Sequence, residues 1–231
     1  MKKILLLLML YFIFLYIYTW RNLLVVKDNS YPVKNLYLDD IKTGDIFLLG
    51  NKKYRKILGD SVFMINFTHP CISLWEDSKL YIIEFAIYPD QEGLIKLPFE
   101  KWIRYNKNKT ILQSCMEIDN ENKEDRMVLS KKILEYYKNN KERIDSMDKN
   151  LNFSWLRFPL RIKQDLNINN ISCTEVLADL LYYTNIAKKD KGVSYYHQDD
   201  FISLRAFKLS DKISYNKNHL CKFQHLMKKY I

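Results

Sequence analysis

Residues 69–86 read HPCISLWEDSKLYIIEFA. Two apolar runs, Cys71 to Trp75 and Tyr81 to Ala86, flank the polar Glu76-Asp77-Ser78-Lys79. That pattern predicts two strands joined by a turn, a hairpin. Upstream, Leu36 to Asp45 reads as a turn and Ile46 to Leu49 as a short buried strand; residues 50–67 show no clean period. Downstream, Thr110 to Glu117 is a further strand. The period then changes from two to about 3.6. Glu124 to Lys138 carries Leu129, Ile133, Tyr136 and Tyr137 on one face among charges, and Ser172 to Ile186 carries Val176, Leu177, Leu180 and Leu181. Both predict amphipathic helices. Residues 139–170 are loop-rich, and the last 40 residues are mixed with a basic finish. The fold class expected is α+β, a small antiparallel sheet packed against a few helices.

The composition agrees with a folded domain. Of 231 residues, 48% are hydrophobic and 14% aromatic, which excludes a disordered chain. Only 5 Gly and 5 Pro exclude collagen-like or linker-dominated architectures. The net charge of +10 favours anionic partners without identifying one. Basic residues are dispersed rather than striped with aromatics, so no nucleic-acid partner is expected. Cys71, Cys115, Cys173 and Cys221 stand singly with no CxxC pair, which argues against a zinc ribbon or a thioredoxin-like motif. No Walker, Rossmann or HExxH motif is present, so neither a metal nor an organic cofactor is implied.

The amino end is different. Ile4 to Trp20 is a 17-residue run without a charge, preceded by Lys2 and Lys3 and followed by Arg21. As a helix it would be about 25 Å long, enough for a thin bilayer. Its end, Tyr-Ile-Tyr-Thr-Trp-Arg, lacks the small residues of a cleavage site. The expectation is a single-pass N-terminal membrane anchor over residues 1–21, with a cleaved signal peptide as the alternative. A stalk over 22–39 and one domain over 40–231 complete the organisation.

Chemistry concentrates at three places. Ser172 followed three positions later by Glu175, just before an apolar run, is a capping box. It puts Cys173 in the first helical turn, where backbone N–H groups and the helix dipole favour a thiolate. Cys173 also shares a face with Val176 and Leu177, so the same spacing suits a small core residue. His69 opens the first hairpin strand with Cys71 and Ser73 on its side. Glu84 lies inside an apolar strand, where a carboxylate is costly unless paired. A histidine on the adjacent strand is its natural partner, as in a catalytic triad; a glutamate on the solvent face of an edge strand fits the same position. His197, His219 and His225 have no such arrangement and read as surface residues.

Taken together, Gly44-Asp45-Ile46, His69 opening a strand, Glu84 in Ile-Glu-Phe-Ala, and Cys173-Thr174-Glu175 opening a helix resemble the circularly permuted NlpC-type papain-like hydrolases. That group includes YiiX-like enzymes, the lecithin-retinol acyltransferase type and a poxviral member. Asp148 to Phe153 and Asp199 to Phe207 are similar to two further segments of the family. Two features depart from it: Pro70 after the histidine, and Ser172 where many relatives have an aromatic. The resemblance implies a permuted papain-like fold with a catalytic triad of Cys173 as nucleophile, His69 as base and Glu84 as its orienting acid. It implies a thiol hydrolase or acyltransferase that acts on a peptide-type amide or an acyl lipid through an acyl-thioester. A binding or scaffold protein on the same fold is the alternative.

Overall fold

The structure, a computed structural model of the chain, describes residues 8–13, 26–27, 31–57, 60–147, 171–193, 196 and 198–223. Its strands are β1 (Val26–Lys27), β2 (Val33–Asn35), β3 (Ile46–Ile57), β4 (Asp60–Glu76), β5 (Lys79–Tyr88), β6 (Gln91–Pro98), β7 (Thr110–Ile118) and β8 (Ile213–Lys222). The helices are α1 (Phe99–Tyr105), α2 (Lys123–Asp145) and α3 (Cys173–Tyr183). The class is α+β. The sheet, however, is neither small nor purely antiparallel. Among the described residues it has eight strands, in the order β2-β8-β7-β3-β4-β5-β6, with β1 added beside β4. The β2–β8 pair is parallel.

The hairpin read from residues 69–86 is present, with Asp77 and Ser78 at positive φ (48° and 62°) in its turn. Two left-handed residues match the right-handed twist of the strands they join. The stretch without a clean period, 50–67, lies almost wholly in a second hairpin, β3–β4, which extends the short strand expected at Ile46 to Leu49. The stalk expectation over 22–39 does not describe its carboxyl half. Val33–Asn35 pairs with Leu220–Lys222, and Leu36 is wholly buried with its N–H donating to the Lys222 carbonyl. The basic finish supplies the partner strand, β8, that a local reading of either segment misses.

Alternation along the strands separates two cores. Ile46, Leu48, Ile72, Leu74, Ile83 and Phe85 face α2 and α3. Phe47, Leu49, Cys71, Ile82, Ile95 and Leu97 face Phe99, Trp102 and Ile103 of α1. Asn122 caps α2, accepting from the N–H groups of Glu124 and Asp125, and Leu129, Ile133 and Tyr136 bury one stripe of that helix. The helix runs seven residues past the expected end at Lys138, to Asp145, so residues 139–145 are not loop.

Gly44 and Asp45 tie the sheet together ahead of the site. Gly44 sits at φ +96°, and a Cβ there would lie 2.9 Å from Leu129. Asp45 is buried; its carboxylate accepts from the N–H groups of Lys42 (3.0 Å) and Met116 (2.8 Å) and from Gln113 (2.6 Å). The N–H of Ser73 on β4 donates to the Asp45 carbonyl. Burial lifts the Asp45 carboxyl to about 6, against the pull of these donors and of Arg126.

Of the expected anchor, only residues 8–13 are described. They are helical, and Leu8 to Ile13 stand 48–62% exposed. Among the described residues no helix is long and apolar enough to cross a membrane. The rest of the run, and the Asp148 to Phe153 segment, lie outside the described residues.

Candidate active site

Three elements meet at one point. The β4–β5 pairing ends at Ile72↔Ile83; beyond it β5 stays with β6 to Tyr88 and β4 stays with β3. The strands therefore part where Glu84 and His69 sit. On β4 the register against β3 shifts between Leu49↔His69 and Gly50↔Phe67, leaving Thr68 unopposed. A bulge of this kind re-aims the neighbouring side chain. Pro70 is accommodated next to it, opposite Leu48.

Cys173 opens α3, and the capping box around it is formed in both directions. The Glu175 N–H donates to Ser172 Oγ (3.3 Å), and the Ser172 N–H donates to Glu175 Oε2 (2.8 Å). The helix is held against both β4 and β5, so its first turn reaches the opening between them.

His69 bridges the two sides. Its Nε2 lies 2.8 Å from Glu84 Oε2, and the ring makes its other hydrogen bond with the Cys173 side chain. With Nε2 committed to the carboxylate, Nδ1 is the nitrogen left for sulfur. Burial alone would depress the ring. The Cys173 sulfur, by charge and by hydrogen bond, outweighs this together with Glu84 and lifts His69 to about 10. An imidazolium that keeps its proton at neutral pH is the partner that holds a thiolate. The His69 side chain is 20% exposed and that of Glu84 fully buried, so the site opens at the sulfur–imidazole end.

Glu84 is itself held by residues the sequence reading did not single out. Tyr88 Oη donates to Glu84 Oε1 (2.7 Å), and Trp102 Nε1 reaches Oε2 at 3.4 Å. Asn106 Nδ2 donates to Tyr88 Oη (3.0 Å) and to the Trp102 carbonyl (3.0 Å). Burial, then the charge of Glu84, pushes the Tyr88 hydroxyl far above its ordinary range, so it remains a donor. Tyr88 was legible by parity, four residues along the strand from Glu84. Trp102 and Asn106 were not, because the segment around α1 carries no motif and only the chain reversal at α1 brings it behind β5.

The other cysteines are elsewhere. Cys71, two residues from His69, is fully buried with its thiol donating toward the Phe47 carbonyl (3.5 Å), and burial pushes that thiol well up. Burial also raises Cys115, to about 12, and Cys221. His219, expected on the surface, is buried on β8 with Nδ1 3.9 Å from Cys115 Sγ; the pairing of β7 with β8 encloses it. His197 and His225 lie outside the described residues. In the Asp199 to Phe207 segment, Phe201 is fully buried and Ser203 accepts from Asn218, so its described contacts are structural. Among the described residues no cluster of His, Cys, Asp or Glu is placed to hold a metal ion.

No family model and no curated protein matches the chain. Among solved structures it is similar to the metalloprotein yiiX from Escherichia coli O157:H7, over 78% of this chain and 88% of that one, at 14% identity and a TM-score of 0.37. A superposition that loose leaves the chemistry to be read from the side chains.

Proposed function

We propose that the protein is a membrane-anchored thiol hydrolase or acyltransferase on a circularly permuted papain-like fold. One observation carries this reading: His69 is hydrogen-bonded to Cys173 on one side and to a buried Glu84 on the other. Cys173 attacks the carbonyl carbon of an amide or ester, and His69 passes its proton to the departing amine or alcohol. An acyl-thioester remains on sulfur. Water or an acceptor nucleophile then attacks it, giving its proton to His69 and restoring the thiolate. Glu84 fixes the ring and steadies its positive charge, while the backbone N–H groups of the first turn of α3 face the developing oxyanion.

The anchor rests on the uncharged Ile4 to Trp20 run between cationic residues, and on the exposed apolar side chains of Leu8 to Ile13. A substrate at a membrane surface, an acyl lipid or a peptide-type amide, follows from that placement. Treating the full chain with an acyl-mimicking electrophile and mapping the adduct by mass spectrometry tests the reading. The adduct is expected on Cys173 alone. A folded chain left unlabelled at Cys173 would favour the scaffold alternative.

A further inference from the structure

The β3–β4 hairpin outruns the sheet it belongs to. β7 accompanies β3 only as far as the Gly50↔Thr110 pair, and β5 leaves β4 after Ile72. Among the described residues, Asn51–Ile57 and Asp60–Asn66 are thus a two-stranded arm, paired with itself and, through Ile65 and Met64, with Val26 and Lys27 of β1. Seven residues of strand extend roughly 23 Å. The arm's sequence is uneven. One strand carries Lys52, Lys53, Arg55 and Lys56; facing it across the ladder are Val62, Phe63, Met64 and Ile65, with Asp60 as the arm's one acidic residue.

Cations along an unpaired edge keep other strands from adding to it. That does not account for four consecutive apolar residues on the neighbouring strand, outside the sheet's body. The combination of basic residues with aromatic and aliphatic ones is the chemistry of a segment lying in a bilayer interface. Chain length gives the direction. Six residue steps separate Trp20, where the apolar run ends, from Val26, which is paired to the arm. Fully extended they cover roughly 20 Å, so a chain anchored through that run holds the arm within about that distance of the headgroups.

We propose that this arm is a second membrane contact that takes anionic phospholipid headgroups. The proposal rests on the anchor reading for its geometry. It also orients the site: His69 lies on the same strand three residues beyond Asn66, so docking the arm sets the Cys173 thiol a fixed, short distance from the bilayer. An acyl chain presented at the interface is then the substrate class the site meets.

Lysine footprinting on the full chain tests it. The chain is mixed with vesicles of phosphatidylcholine alone or of equal parts phosphatidylcholine and phosphatidylglycerol, acetylated with an N-hydroxysuccinimide ester, and mapped by mass spectrometry. Lys52, Lys53 and Lys56 should acetylate at least about fivefold more slowly on the anionic vesicles, with the rate restored by high salt, because each basic residue near an anionic surface gains roughly a fivefold preference. The exposed Lys107 and Lys131 serve as controls and should not change. Equal acetylation of the arm on both vesicles would overturn the proposal, as would protection of the arm by duplex DNA matching that by anionic vesicles. Carbonate extraction of the same vesicles reports the anchor separately. A chain that stays in the pellet with an unprotected arm refutes the arm alone; a stripped chain with a protected arm refutes the anchor alone.

Discussion

Among the described residues two cysteine–histidine pairs, Cys115–His219 within the sheet and Cys173–His69 between α3 and the sheet, are held in opposite electrostatic settings. Cys115 and His219 face each other across β7 and β8, with sulfur 3.9 Å from Nδ1. Among the described residues that ring has no second hydrogen-bond partner: His219 Nε2 is buried and unpaired, and burial, with Lys34 nearby, depresses its pKa against the weaker pull of Asp40. Burial and the Asp45 carboxylate raise the Cys115 thiol to about 12, so this pair is neutral on both sides. In the second pair, Glu84 stands behind His69, and the sulfur in front of it begins a capped helix. There the imidazole is lifted rather than depressed. Proximity of sulfur to imidazole is common to both. The acid on the far nitrogen and the helix end beneath the sulfur are what differ.

The largest expected effect comes from removing each sulfur in turn. Cys173→Ala should abolish labelling by an electrophilic probe, while Cys115→Ala should leave the rate unchanged. Labelling that survives in Cys173→Ala would make the contrast between the pairs false. The histidines sharpen it. His69→Ala should slow alkylation of Cys173 by at least about a hundredfold, the scale of a lost acid–base partner, and His219→Ala should not alter it.

Asp45 connects the comparison to stability. Its carboxyl is raised from the ordinary 3.8 to about 6 in the fold. Between those values the folded chain holds a proton that the unfolded chain has released, so stability falls as pH rises across this window. The full effect is roughly 3 kcal/mol for a shift of this size. Denaturant unfolding at pH values spanning the window should show that fall in the natural chain and its loss in Asp45→Asn. The same substitution removes one of the charges holding the Cys115 thiol up, and the pH profile of Cys115 alkylation should move to lower pH.

The smallest effect concerns the helix end. Ser172→Ala should cost about 1 kcal/mol of stability through the lost N-cap bond, and equilibrium unfolding would register it. The folded variant should also be labelled more slowly at Cys173, since the capped turn beneath the sulfur frays. An unchanged labelling rate in the folded variant would separate the cap from the thiol.

Much of the Cys173–His69–Glu84 cluster was legible from local rules. A capping box is a four-residue pattern, and a glutamate inside Tyr81-Ile-Ile-Glu-Phe-Ala is conspicuous because an unpaired carboxylate there is so costly. The hairpin and two helices followed from periods of two and 3.6. What the chain concealed is non-local. The bulge at Thr68 depends on the register between β3 and β4, and the opening between β4 and β5 depends on each strand's other neighbour. Trp102 and Asn106 acquire their roles only when α1 folds behind β5. His219 looked like a surface residue because β2, the strand beside it on one side, lies in a stretch that reads as a stalk. The long β3–β4 arm was illegible for a related reason, since its cations and apolar residues follow no period set by a buried face.

If Cys173, His69 and Glu84 form one electrostatic unit, the His69 ring reports it, and NMR titration of that ring is the direct test. The ring should keep its proton up to about pH 10, well above the ordinary 6.5. Its stabilising contribution is then fully present below the unfolded value and is lost as pH rises through the folded one. Cys173→Ala should lower the midpoint most and Glu84→Gln should also lower it, because the sulfur and the carboxylate both hold the charge on the ring. A His69 midpoint at or below 6.5 in the natural chain, unmoved by Cys173→Ala, would contradict the account.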